Sequence, residues 1–217
     1  MTKKAFIFDL DGVIVDTAKY HFLAWQKLAN QLGIPFTEEH NESLKGVSRV
    51  RSLEIILALG HVQASEAEKN KWLVQKNEEY LSYLVTMDEK ELLPDVPRIL
   101  AFLKAHDQFI TLGSASKNAR PILEKTKIVH YFDAIVDGND VSNAKPDPEV
   151  FLRAAKLVGV SNENAIVFED SVAGIQAANV AHMTSIGIGD AHVLHEAKYN
   201  FKDFTTIDEA FLEKLIN

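Results

Sequence analysis

Short, uninterrupted apolar runs constrain the fold of this chain more than any other feature. Ala5-Phe6-Ile7-Phe8 ends at Asp9, and similar runs recur at Phe109 to Leu112, Ala134 to Val136, Ala165 to Phe168 and Thr184 to Ile188. Runs without polar alternation are apolar on both faces, as strands of a parallel sheet covered by helices must be. Helical patterns separate the later runs: Ile99, Leu100 and Leu103; Ile122 and Leu123; Phe151, Ala154, Ala155 and Val158; and the segment from Ser171 to Val180. Asp147-Pro148 suits an N-cap with proline at the first helical position, and Gly159 suits a stop. Strand alternating with helix predicts an α/β fold, a Rossmann-like parallel sheet core.

The first crossover breaks this rhythm, because a βαβ unit needs about thirty residues and the connection from Phe8 to Phe109 is far longer. From Ala18 to about Tyr83 the patterns are helical: Phe22, Trp25, Leu28, Ala29 and Leu32 share a face before Gly33, and Leu53, Ile56 and Leu57 share another before Gly60. Ser65-Glu66-Ala67-Glu68 has the form of a capping box. The spacing therefore predicts an inserted helical cap domain over residues 17–87, with the catalytic core formed by residues 1–16 and 88–217.

The polar groups that follow the runs fall where open parallel sheets gather ligands, at the carboxyl ends of the strands. They are Asp9-Leu10-Asp11-Gly12, Gly113-Ser114-Ala115-Ser116, Asn143-Ala144-Lys145-Pro146 and Glu169-Asp170-Ser171. Singly, each has an ordinary reading: Asp before glycine as a turn, Ser before a helix as its cap, Lys as solvated surface. As a set at one sheet edge they form a hard-oxygen site suited to Mg²⁺ and to phosphate chemistry. Such chemistry needs a nucleophile, neutralisation of phosphoryl oxygens and an acid/base, roles that Asp9, a metal with Lys145 and Ser114, and Asp11 can fill in turn. A helix beginning after Ser114 would add backbone N–H groups for a phosphate.

Composition closes off other chemistries. The chain has no cysteine, which excludes disulfides, thiolate metal sites and a cysteine nucleophile. Its formal net charge of -8, from 31 acidic against 23 basic residues, gives no footprint for nucleic acid or an anionic membrane. After Lys3 and Lys4 the apolar stretch is too short for a signal-peptide core or a membrane span, so the expectation is a cytoplasmic protein, with a monomer as the default.

Phe8-Asp9-Leu10-Asp11-Gly12-Val13, Ser114, Lys145-Pro146 and Glu169-Asp170-Ser171 resemble, in order, the four motifs of the haloacid dehalogenase-like superfamily, and the resemblance spans the chain. It implies an aspartyl-phosphate on Asp9, Asp11 as general acid/base, and Mg²⁺ held by Asp9, the Asp11 carbonyl and Asp170 with Glu169 close by. Dehalogenating members lack the second aspartate, so Asp11 argues for phosphoryl transfer. Within the superfamily, the cap is similar to that of its phosphosugar mutases at Thr17, His21, Trp25, Leu44 to Arg49, Ser52-Leu53, Lys76-Asn77 and Ser114 to Asn118.

That similarity implies a phosphosugar substrate and a bisphosphate intermediate, with β-glucose 1-phosphate converted to glucose 6-phosphate. Substrate contacts would come from His21, Lys45, Gly46, Val47, Arg49, Ser52, Lys76, Ala115, Ser116, Lys117 and Asn118, with His21 and Lys76 coupling cap closure to Asp11. From the residues alone, Gly46 permits close backbone approach and Arg49 offers bidentate phosphate binding, a reading favoured over Ser48 as a plain N-cap beside a solvated Arg49. His21 and Trp25, by contrast, read as core and rim of a helix, and Lys76 as solvated like Lys69 and Lys71. The rival activity is a sugar-phosphate phosphatase of the same superfamily, which the core motifs do not distinguish. Gly113 and Val15 depart from the usual alanine and threonine of the motifs without removing a functional group.

Overall fold

The computed structural model describes residues 3–217; Met1 and Thr2, which the sequence assigns to the core, lie outside them. The strands are β1 (Ala5–Phe8), β2 (Phe109–Gly113), β3 (Ala134–Val136), β4 (Ala165–Glu169), β5 (Thr184–Ile188) and β6 (Tyr199–Phe201). All pair in parallel, in the order β3-β2-β1-β4-β5-β6. The expected runs are all strands, and β6 is an addition. Its three half-buried residues at the sheet edge carry no apolar run, so no periodicity announces it.

Alternation along each strand explains why the runs are apolar throughout. Phe6, Phe8, Ile110, Leu112, Ile166 and Phe168 enter one buried cluster, together with α5 (Val96–Ala105) and α9 (Glu209–Ile216). Ala5, Ile7, Ala165 and Val167 enter another on the opposite face, with α7 (Glu149–Leu157) and α8 (Val172–Val180). Phe8 stacks on Phe168 with ring centroids 4.7 Å apart. On the second face a Cβ at position 113 would lie 2.8 Å from the Phe151 ring, so the Phe151 side chain takes the space that an alanine there would need.

Between β1 and β2 run α1 (Ala18–Gln31), α2 (Glu38–Glu42), α3 (Arg49–Leu59) and α4 (Glu66–Leu84) before the chain enters α5. Trp25, Leu28, Ala29, Ile34, Phe36, Leu44, Leu53, Ile56 and Leu57 pack into a separate cluster among these helices. Ala24, Tyr80, Leu84 and Met87 instead join the main core, which anchors the base of the helical insert. Ser65 and Glu68 form the reciprocal cap that opens α4. Pro148 is itself the N-cap of α7, and Asp147 Oδ1 accepts from the Glu149 N–H at 2.9 Å, one position displaced from the expected arrangement. Among the described residues no helix is long and apolar enough to cross a membrane.

Strand order positions the site. The chain leaves β1 towards β2 and β3 on one side and returns to β4 and β5 on the other, so the carboxyl end of β1 lies at a topological switch point. Phe8 pairs with both Leu112 and Phe168, which sets Asp9 beside the ends of β2 and β4.

Candidate active site

The floor of the site is a buried group of charges. Lys145 Nζ donates to Asp9 Oδ1 at 2.5 Å and to Glu169 Oε2 at 2.8 Å, with none of its side chain exposed. The other Glu169 oxygen accepts from the Ser171 N–H at 3.1 Å and the Ser171 hydroxyl at 2.5 Å, and that hydroxyl accepts from Gly174 N to cap α8. Glycine is required at position 174, because a Cβ there would overlap the Glu169 carboxylate. Gly12 (φ +80°) turns the chain back after β1 where a Cβ would collide with the Asp170 carboxylate.

Asp9, Glu169 and Asp170 each offer an oxygen within 4.8 Å of the others. Burial pushes the Asp9 carboxyl up to about 7; Lys145 opposes the shift, and Glu169 and Asp11 add to it. Burial, then Glu169 and Asp9, likewise raises Asp170 well above the carboxylate range. Burial alone would weaken the Lys145 ammonium, but Asp9 and Glu169 outweigh it and raise its pKa. Three clustered carboxyl groups share too little positive charge to ionise fully without a cation, and all the donors are hard oxygens. The site fits a divalent cation.

Lys145→Met is expected to destabilise the protein by about 3–5 kcal/mol, because it leaves buried carboxylates without their counter-charge. The sign with pH follows from the raised carboxyls: they hold protons that the unfolded chain releases above about pH 4, so stability falls as pH rises towards their folded values. Thermal melts without metal should therefore show a larger Tm loss for the variant at pH 8 than at pH 5. An equal loss at both would contradict the ionised cluster.

Asp11 has a second set of partners. Its carboxylate accepts from the buried Thr17 hydroxyl at the start of α1, and His21 Nε2 lies 3.7 Å from Oδ1. The far side of the ring meets Lys76 from α4, with Nδ1 to Nζ at 2.8 Å. Enclosure in the cavity would raise the Asp11 carboxyl, but the His21 ring and then the Thr17 hydroxyl outweigh it and hold it below its ordinary value. Burial, reinforced by Lys76, lowers the His21 pKa. Lys76 is itself buried and pushed down to about 7 by that burial and by Arg49. Its Nζ sits 4.8 Å from the ring centroids of both Trp25 and Tyr80, which replace water around it. Lys76 is therefore not part of a solvated face.

A cavity of about 610 Å³ joins the insert to the core. His21, Lys45, Gly46, Val47, Arg49, Ser52 and Lys76 line it from the insert, and Asp9, Asp11, Ser114, Ala115, Ser116, Lys117, Lys145 and Asp170 from the core. Glu169, fully buried, and Asn118 lie outside the lining. Ser48 does cap α3, accepting from Arg51 N at 3.3 Å, yet Arg49 beside it lines the cavity, so the cap does not make Arg49 a plain solvated residue. Gly46 (φ +72°) meets Ser171 of the core so closely that a Cβ would overlap its side chain, and Lys45 Nζ lies 3.8 Å from Asp170.

One expectation changes. The helix after Ser114 begins only at Ala119, as α6 (Ala119–Lys125). The intervening turn already occupies two of its donors, since Ser116 N donates to Ser114 Oγ at 3.0 Å and Asn118 N to Ser116 Oγ at 3.2 Å. Asn41, Leu44, Asn70 and Leu73 also line the cavity and were not singled out from the sequence. Leu44 stands in the stretch that carried the resemblance; the others are ordinary helix residues with no local signal.

The comparisons with known proteins agree with this geometry. The model of the haloacid dehalogenase-like hydrolase family matches residues 3–182. The β-phosphoglucomutase of Bacillus subtilis is 45% identical over 188 residues, 86% of this chain and 83% of that protein. A phosphorylated carbohydrates phosphatase of Thermotoga maritima is 31% identical over 197 residues, 90% of this chain and 88% of that protein. The crystal structure of a β-phosphoglucomutase from Clostridium difficile superposes with a TM-score of 0.95 at 40% identity, covering 100% of this chain and 98% of that one. With the family match spanning most of the chain, this protein belongs to the haloacid dehalogenase-like hydrolase family.

Proposed function

We propose that this chain interconverts β-glucose 1-phosphate and glucose 6-phosphate, with Asp9 as the phosphate carrier and β-glucose 1,6-bisphosphate as the intermediate. The observation that carries the reading is the shared cavity: Asp9 and the basic groups of the insert, Lys45, Arg49 and Lys76, line one space between insert and core. A phosphatase needs the first of these; a mutase also needs somewhere to hold a second phosphate while water is kept out.

Asp9 Oδ1 is engaged by Lys145, which leaves Oδ2 to attack phosphorus. Asp11 is held as a carboxylate, the form that takes a proton. In the first half, O6 of β-glucose 1-phosphate bonds to the phosphorus of phospho-Asp9, the Asp9–phosphorus bond breaks, and the O6 proton passes to Asp11. The bisphosphate turns end for end. Asp9 then attacks the 1-phosphate, the O1–phosphorus bond breaks, and Asp11 returns its proton to O1. Arg49, Ser116 and Lys117, which line the cavity, hold the phosphate remote from Asp9, and the planar arginine offers two parallel donors to it. Mg²⁺, held by Asp9, Asp170 and the Asp11 main-chain carbonyl with Glu169 beside it, would neutralise phosphoryl oxygens when bound. The reading includes a monomeric, cytoplasmic enzyme whose partners are phosphosugars; a net charge of -8 supports the exclusion of polyanions.

The test is conversion of β-glucose 1-phosphate with Mg²⁺ and a trace of the bisphosphate, following glucose 6-phosphate and inorganic phosphate together. Bisphosphate-dependent glucose 6-phosphate with little free phosphate is expected. Free phosphate as the main product would assign the chain to the phosphatases, with Asp9 still the nucleophile.

Because Asp9 titrates near 7 without metal, a cation must displace its proton at lower pH. Mg²⁺ affinity measured by calorimetry should tighten as pH rises from 5 towards 7, by up to about tenfold per pH unit for each proton displaced, with the raised Asp170 carboxyl adding to Asp9. An affinity independent of pH would contradict the assignment of Asp9 as a ligand.

A further inference from the structure

Helix α4 carries two neighbouring residues that lead to different parts of the site. Lys76 reaches His21, and through it Asp11. Asn77, the next residue, accepts at Oδ1 from Asn118 Nδ2 at 3.0 Å, a bond from the insert to the core. Asn118 stands at the N-cap of α6 but makes no side-chain capping bond there, so its amide serves the insert instead of its own helix. Its N–H donates to Ser116 Oγ at 3.2 Å, and the Ser116 N–H donates to Ser114 Oγ at 3.0 Å. A run of hydrogen bonds thus extends from α4 to Ser114 at the end of β2, along a turn whose Ser114 and Ser116 line the cavity. Exchanging O and N of both amides preserves the contact, since one still donates to the other.

Resting on the mutase reading, we infer that Asn77 is a positioning residue, which locks the 114–118 turn to α4 so that closure of the insert and the setting of that turn occur as one event. Lys76 and Asn77 are adjacent on one rigid helix. The docking that brings Lys76 to the Asp11 relay therefore also brings Asn77 to Asn118. Without Asn77 the turn is no longer set by closure, the cavity closes less completely around the sugar, and water competes for phospho-Asp9.

The experiment is a double-mutant cycle with Asn77→Ala, Asn118→Ala and the pair, reading the ratio of free phosphate to glucose 6-phosphate made from β-glucose 1-phosphate, with Tm recorded for each. Loss of one neutral hydrogen bond should raise the ratio by about three- to tenfold in Asn77→Ala, and the pair should exceed Asn118→Ala by little, because both substitutions remove the same link. Asn77→Ser takes the place of the alanine variant if the latter does not fold. A lowered Tm with an unchanged ratio, or additive effects in the pair, would overturn the inference and leave the mutase reading standing. Wild-type enzyme that itself releases mainly phosphate would overturn both.

Discussion

Exchanging Asp9 for asparagine is expected to abolish phosphoenzyme formation and to lower turnover by about 10⁴-fold or more, the scale seen when a covalent nucleophile is removed. Asparagine has nearly the same shape and its carbonyl can still accept from Lys145 Nζ, which sits 2.5 Å from Oδ1. What is lost is a carboxylate oxygen able to attack phosphorus. The substitution also removes one of three clustered acidic groups, so the metal-free variant should be at least as stable as wild type. A chemical loss without a folding loss separates the nucleophile from a structural acid. Retained labelling of Asp9→Asn by a phosphoryl donor would remove Asp9 from that role.

Asp11→Asn is expected to cost about 10²- to 10⁴-fold in sugar phosphorylation, the range of a general acid/base, while leaving Asp9 able to accept phosphate. The amide still fits between Thr17 and His21 but cannot take or return a proton. A donor whose leaving group needs no proton, such as an acyl phosphate, should therefore still label Asp9 in this variant, and the sugar phosphates should not. Equal loss with both kinds of donor would mean that Asp11 supports the site instead of moving a proton. In this structure the Asp11 carboxyl is held below its ordinary value, in the ionised form that the proposed base requires. The returning step needs the acid form, which Asp11 reaches by taking the O6 proton in the preceding half, and the nearby phosphates favour its retention.

The core was legible because each of its signals is local. Phe6 and Phe8 face one cluster while Ala5 and Ile7 face the other, so a run apolar on both sides identified β1 as a buried strand. Ser65 and Glu68 marked the start of α4 through bonds only three residues apart. The acidic floor was legible for the same reason, with Asp9, Glu169 and Asp170 each at a strand end or just after one and Lys145 in the loop between β3 and α7.

What stayed hidden depends on contacts between distant segments. Lys76 stands among lysines and glutamates on α4, and only the approach of Trp25 and Tyr80 buries it. Tyr80 is fully buried with its hydroxyl unpartnered next to His21, a placement no periodicity could indicate. Before α6 the Ser114 and Ser116 hydroxyls accept the N–H groups two residues on, successive side-chain turns that no helical periodicity marks. β6 is a short half-buried edge strand and lacks the apolar run that revealed the others.

The central claim, that phosphate passes through Asp9 between two positions of one sugar, is tested most directly by a single turnover of unlabelled phosphoenzyme with β-glucose 1-phosphate carrying labelled phosphate. The account predicts unlabelled glucose 6-phosphate, with the label recovered on Asp9 and in the bisphosphate. Label retained in glucose 6-phosphate, or released as inorganic phosphate, would contradict it.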